Sequence, residues 1–213
     1  MSMDSTSSNA SYRDWTRLKR VGGGLCLDFV NTVDRETNGY VNEWLNDFAD
    51  LVMWEQLAQI LTTQQAKHLL AQAKLYPNHA QATFHQAIRL REVLYRIFSA
   101  FCADRSPQPE DLEQFNTMLT QTYTHSKLVF TGNGFAWSWT DCDHLEQVLW
   151  QVMRSATDLL TDPNLNRVRE CAGTDCGWVF LDMSRNRSRR WCDMEECGNR
   201  AKARRHYERS KEF

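Results

Sequence analysis

A chain of 213 residues, 42% hydrophobic and 24% charged, with nine Gly and four Pro, can build one medium-sized core and excludes collagen-like, low-complexity and wholly disordered readings. No apolar run approaches the ~18 residues of a membrane helix, and the polar start lacks a signal-peptide layout, so a cytoplasmic protein is expected. The net charge of −2 divides unevenly: residues 1–162 carry 13 basic and 19 acidic side chains, whereas residues 163–213 carry 12 and 8. A basic end on an acidic body is expected to meet something anionic.

Residues 1–11, five of them Ser, read as a disordered lead. Gly22-Gly23-Gly24 lacks the spacing and the Lys-Ser/Thr of a phosphate cradle, and reads as a turn before a buried element. Leu25 to Thr32 fits helix or strand by length; Leu25, Phe29 and Val33, spaced by four, favour helix. Leu45, Phe48, Val52 and the 57–61 region predict the next helix. Thr62 or Thr63 then caps a helix burying Ala66, Leu69, Leu70 and Ala73. Phe84, Ala87, Ile88, Leu94, Tyr95, Phe98 and Phe101 trace an amphipathic helix that Pro107 and Pro109 punctuate. Pro109-Glu110-Asp111 opens another, with acids where the helix dipole favours them. Residues 127–130 and 135–139 flank a Gly-rich link and predict a hairpin. Thr140 with Asp143 resembles a cap for a helix running from Leu145 to Leu160, and Asp162-Pro163-Asn164 marks a boundary. The predicted architecture is mainly α with one small β-hairpin over residues 12–162, followed by a separate unit over 163–213.

Seven cysteines, an odd number, argue against a disulfide framework. Cys26, Cys102 and Cys142 stand alone and are expected to be buried as small hydrophobes. Cys171, Cys176, Cys192 and Cys197 form two Cys-x4-Cys pairs fifteen residues apart. Four thiolates suit a tetrahedral Zn2+, which has no competing redox chemistry. Trp178 to Leu181 reads as a strand, Ser184 to Ser188 as a turn, Arg189 to Trp191 as the return strand, and Gly198 as the start of a helix to about Lys211. Knuckle, hairpin and helix describe a treble-clef zinc finger (α+β). A tail this short cannot bury much core, so a metal staple is expected. Losing one ligand should then unfold the tail and spare the helical domain.

The stretch from Cys176 through Cys192 to Cys197-Gly198-Asn199-Arg200 resembles the CGNR zinc-finger family. Leu27-Asp28-Phe29-Val30-Asn31-Thr32 is similar to a segment of the ABATE domain that precedes that finger. The resemblance implies a bacterial, stress-linked transcription regulator with a DNA-binding finger.

The residues are compatible with that role. Arg187, Arg189 and Arg190 crowd the hairpin, and Arg200, Lys202, Arg204 and Arg205 give the last helix a wide basic face. Guanidinium groups bridge phosphates or read guanine, so these seven are the candidate contacts to duplex DNA. Asn199 lies near the packing face and is expected to cap the helix. In the larger domain, Asp28 and Asn31 interrupt an apolar stretch. They read either as pocket-facing groups of a small-molecule sensor or as satisfied buried caps. Cys142-x-His144 and the scattered His68, His79, His85 and His125 make no catalytic constellation, so an enzyme is not expected. A protein-interaction module with a purely structural zinc is the competing reading, and homodimerisation is compatible with either.

Overall fold

The computed structural model describes residues 14–35, 41–139 and 144–211. A 3-10 turn at Trp15–Arg17 leads to helix α1, Leu25–Val30, then to the paired strands β1, Val33–Arg35, and β2, Val41–Glu43. Four helices follow: α2, Phe48–Leu57; α3, Thr63–Leu75; α4, Pro77–Cys102; and α5, Pro109–Thr124. The hairpin of β3, Ser126–Phe130, and β4, Phe135–Trp139, precedes helix α6, Gln147–Leu160. The C-terminal part holds strands β5, Val168–Glu170, and β6, Val179–Leu181, then helix α7, Asn199–Lys211. Among the described residues no helix is long and apolar enough to cross a membrane.

Local chemistry sets the helix starts. Asp47 accepts the Asp50 backbone N–H at 2.8 Å, and Thr62 and Gln65 form a reciprocal capping box for α3. Pro77 and Pro109 occupy first turns, where a missing N–H costs nothing. The Thr140–Asp143 cap lies outside the described residues. Helix α1 is shorter than its spacing suggested: Val33 belongs to β1, because Asn31 ends the helix.

The core sits where α1, α4 and α6 cross. Phe29 packs on Trp54 at 5.3 Å between ring centres, with Leu90, Leu94, Phe98, Val148, Val152 and Ala156 around them. Each large side chain so buried contributes about 1.5–3 kcal/mol. Arg91, nearly fully buried, donates both terminal nitrogens to Glu43 at 2.6 Å and pins β2 to α4. Paired and bidentate, it is a buried charge the fold tolerates.

The C-terminal part is not a satellite. Val168 and Val179 lie in the same core as the helices, β6 packs on α1 and β5 on α4. Asn31 is fully buried and holds β6 with both ends of its amide: Nδ2 donates to the Val179 carbonyl at 2.8 Å, and Oδ1 accepts the Val179 N–H at 2.9 Å. Leu181 N–H donates to the Gly22 carbonyl at 2.7 Å, and the Trp178 indole to the Val33 carbonyl at 3.2 Å. Gly22 can be nothing larger: a Cβ there would meet Leu27 at 2.8 Å and the Asp28 backbone nitrogen at 2.9 Å. The return strand expected at Arg189–Trp191 is not formed. β6 pairs instead with β5, upstream of the knuckle, in the register Val168↔Leu181 to Glu170↔Val179. The Arg189–Trp191 segment offers the knuckle one backbone bond, from Ala172 N–H to the Arg190 carbonyl at 2.8 Å.

Candidate metal centre and basic face

The β5–β6 hairpin carries Cys171 and Cys176 at its tip. Its left-handed turn uses Gly177, with φ +62°, where a Cβ would lie 2.9 Å from that of Arg35. The second pair comes from the other side: Cys192 ends the long loop, and Cys197 sits in the turn of π-helix at Met194–Gly198 that feeds α7. Asp193 caps that turn by accepting the Glu195 N–H at 2.7 Å, and Lys19 holds Asp193 at 2.7 Å.

These elements bring four buried thiols to one point, with all sulfurs within 4.8 Å of one another. Two edges measure 3.5 Å, Cys176 to Cys192, and 3.6 Å, Cys192 to Cys197. A tetrahedron of thiolates around zinc, with bonds of ~2.3 Å, has edges of ~3.8 Å, so the donor set fits a metal ion of that size. The surroundings favour thiolate at Cys171 and Cys197. Cys171 Sγ faces the Gly173 N–H at 3.4 Å and the Cys192 N–H at 3.3 Å, and Arg200 donates to Cys197 Sγ at 3.1 Å. Donors aimed at metal-bound sulfur are the outer support such cages need. The remaining described cysteines behave differently. Burial raises the Cys26 thiol to about 12 and the Cys102 thiol to about 11, so both stay protonated. Cys102 is only half-buried, short of the expected burial, and Cys142 lies outside the described residues.

The seven cations separate into distinct roles. Arg189 is structural: it donates to the carbonyls of Val21, Trp191 and Cys192, and its guanidinium lies 4.2 Å over the Phe180 ring. It is thereby removed from the solvent face expected of it. Arg190 lies 5.4 Å from the Trp191 ring centre, and Arg187 sits exposed at the loop tip with φ +49°. On α7, which buries no side chain, Arg200 leans on Cys197, Arg204 reaches Asp175 at 3.2 Å, and Lys202 and Arg205 face solvent. Asn199 donates to the Glu195 carbonyl at 2.8 Å, which ties α7 to the preceding turn.

Asp28 and Asn31 spend their polar groups inside the fold. Asp28 accepts the Gly22 N–H at 2.8 Å, and Asn31 grips Val179 as above. Sequence reasoning missed the residue that shapes the long loop. Asp182, fully buried, accepts the Ser184 N–H at 2.8 Å and the Arg189 N–H at 3.0 Å. Its signal was the Asp-x-Ser pattern of a side-chain turn. Also unforeseen is a cavity of about 300 Å³ in the helical body, where His125 stacks on Trp150 and His144, Glu146 and Gln121 are among the other lining residues.

Comparisons with known proteins match both parts of the chain. The ABATE model, described as "Putative stress-induced transcription regulator", matches residues 23–163, and the CGNR zinc finger model matches residues 167–210. No curated protein matches the chain. With the larger match spanning well over half its length, the chain belongs to the ABATE family and carries a CGNR zinc finger behind that domain.

Proposed function

We propose that the protein is a DNA-binding transcription regulator whose zinc-stapled finger presents α7 and the loop tip at Arg187 to the phosphates of a duplex. One observation carries the reading. Helix α7 is thirteen residues long and buries none of them, which supports a role beyond the chain's own packing. Six of those residues are cations, Arg200, Lys202, Arg204, Arg205, Arg209 and Lys211. A helix this basic and this unpacked suits an anionic surface better than an apolar partner. Arg187, Arg200, Lys202, Arg204 and Arg205 are the contacts this reading uses. The thiolate cage selects zinc by donor softness and size. The helical body supplies the regulatory half, with the cavity beside His125 and Trp150 as its small-molecule site in place of Asp28 and Asn31.

Salt-dependent binding is the test. Zinc-loaded protein that neutralises about four to six phosphates has a log K against log[salt] slope of roughly −4 to −5. A protein-interaction module would show no affinity for duplex DNA even at low salt.

A further inference from the structure

A cleft of about 300 Å³ lies between the knuckle, Gly173 to Asp175, and the first two turns of α7. Arg190, Arg200, Arg204 and Arg205 line it, and Trp191 closes one side. Against four guanidinium groups the lining sets a single carboxylate, Asp175, which pairs with Arg204 at 3.2 Å. Both walls are tied to the metal cage, one through Gly173 N–H to Cys171 Sγ and the other through Arg200 to Cys197 Sγ. The spacing between the walls is therefore tied to the cysteine cage.

We propose that this cleft is a phosphodiester subsite in which Asp175 stands in for the anion until a nucleic-acid phosphate displaces it from Arg204. The inference rests on the DNA-binding reading and deepens it. A guanidinium presents paired donors that match two phosphate oxygens, and a carboxylate occupies the same fork with the same geometry. Asp175 and Arg204 are 38% and 49% exposed, so their bond is weak and its exchange for phosphate costs little. The carboxylate lowers affinity for every sequence equally, since it competes with the backbone and never with a base.

Binding of a short duplex to the full-length, zinc-loaded chain tests this, with metal content measured for each variant. Asp175→Asn is expected to bind roughly three- to fivefold more tightly than the parent. That gain should vanish in an Arg204→Gln background, and Glu195→Gln, which removes an exposed acid away from the cleft, should gain less. Asp175→Ser repeats the measurement if asparagine disturbs the neighbouring Cys176. Inorganic phosphate, titrated while backbone amide shifts are followed, should perturb residues 173–175 and 200–205 only at millimolar concentration. Should the parent bind DNA while Asp175→Asn gains no more than Glu195→Gln, the subsite is wrong and the regulator reading survives. Saturable phosphate binding without any DNA binding overturns both, and leaves a small-anion site.

Discussion

The helical body and the finger bury polar atoms by different means. In the body, apolar packing dominates and some buried polar groups are left to burial alone: neither carboxyl oxygen of Glu55 nor the Trp54 indole nitrogen has a hydrogen-bond partner among the described residues. In the finger the apolar set is small, Trp178 and Phe180 beside the four cysteines, and order comes from directed bonds to sulfur and carbonyl groups. One region is held by area and the other by geometry. Geometry fails more abruptly, because removing one member strands its partners without water. Yet the two share a core through Val168 and Val179, so failure in the finger is felt in the body.

The largest expected effect tests that shared core. Chelation of the metal, or Cys192→Ser, should lower the stability of the whole chain by several kcal/mol, since metal binding and folding are coupled at such sites. Far-UV circular dichroism, reporting the helices, and tryptophan fluorescence should lose their transitions together. A body that melts at an unchanged temperature after chelation would separate the two regions, as the sequence alone suggested.

Asn31→Ala comes next. It strands the buried N–H and carbonyl of Val179 at the seam, an expected cost of about 2–4 kcal/mol in urea unfolding. Asn31→Asp should cost as much, because a carboxylate cannot donate to the Val179 carbonyl. A loss under about 0.5 kcal/mol for both would mean that the seam is held by β6 packing alone.

Arg189 and Lys202 then contrast the inward and outward cations. Arg189→Ala should cost about 1.5–3 kcal/mol, as three backbone carbonyls lose a charged donor. Lys202→Ala should leave stability unchanged and reduce the salt slope of DNA binding by about 1. Equal effects of the two on both measurements would erase the distinction.

Much of this was legible in the sequence where the signal was local. The helix cap at Thr62 or Thr63, the proline at 109, the Gly-rich link between 130 and 135 and the Cys-x4-Cys pairs each act within a few residues of themselves. What the sequence hid was long-range. Three-residue strands carry no usable period, so the partner of β6 could not be chosen between the upstream Val168–Glu170 and the downstream Arg189–Trp191. Arg189 and Arg190 are identical neighbours, and among the contacts that turn Arg189 inward is the Val21 carbonyl, 168 positions away along the chain. Asn31 shows the same limit. Its polarity announced a special position, but its partner is 148 residues away.

The smallest effect concerns the body's own weak point. Glu55 is fully buried on α2, and burial alone raises its pKa well above the usual carboxylate range. A carboxyl whose folded pKa is raised stays protonated in the native state while the unfolded chain gives up its proton. Stability is therefore highest below the unfolded value of about 4.3 and falls by about 1.4 kcal/mol per pH unit up to the folded pKa. Glu55→Met keeps the volume, removes the proton linkage and needs no hydrogen bond. It should raise stability by about 1–2 kcal/mol at pH 7, with a smaller gain at pH 5. Denaturant unfolding of both proteins at the two pH values measures the difference. A variant that is less stable than the parent at pH 7 would mean that the carboxylate has a partner in solution, and that the body too relies on a directed bond at this position.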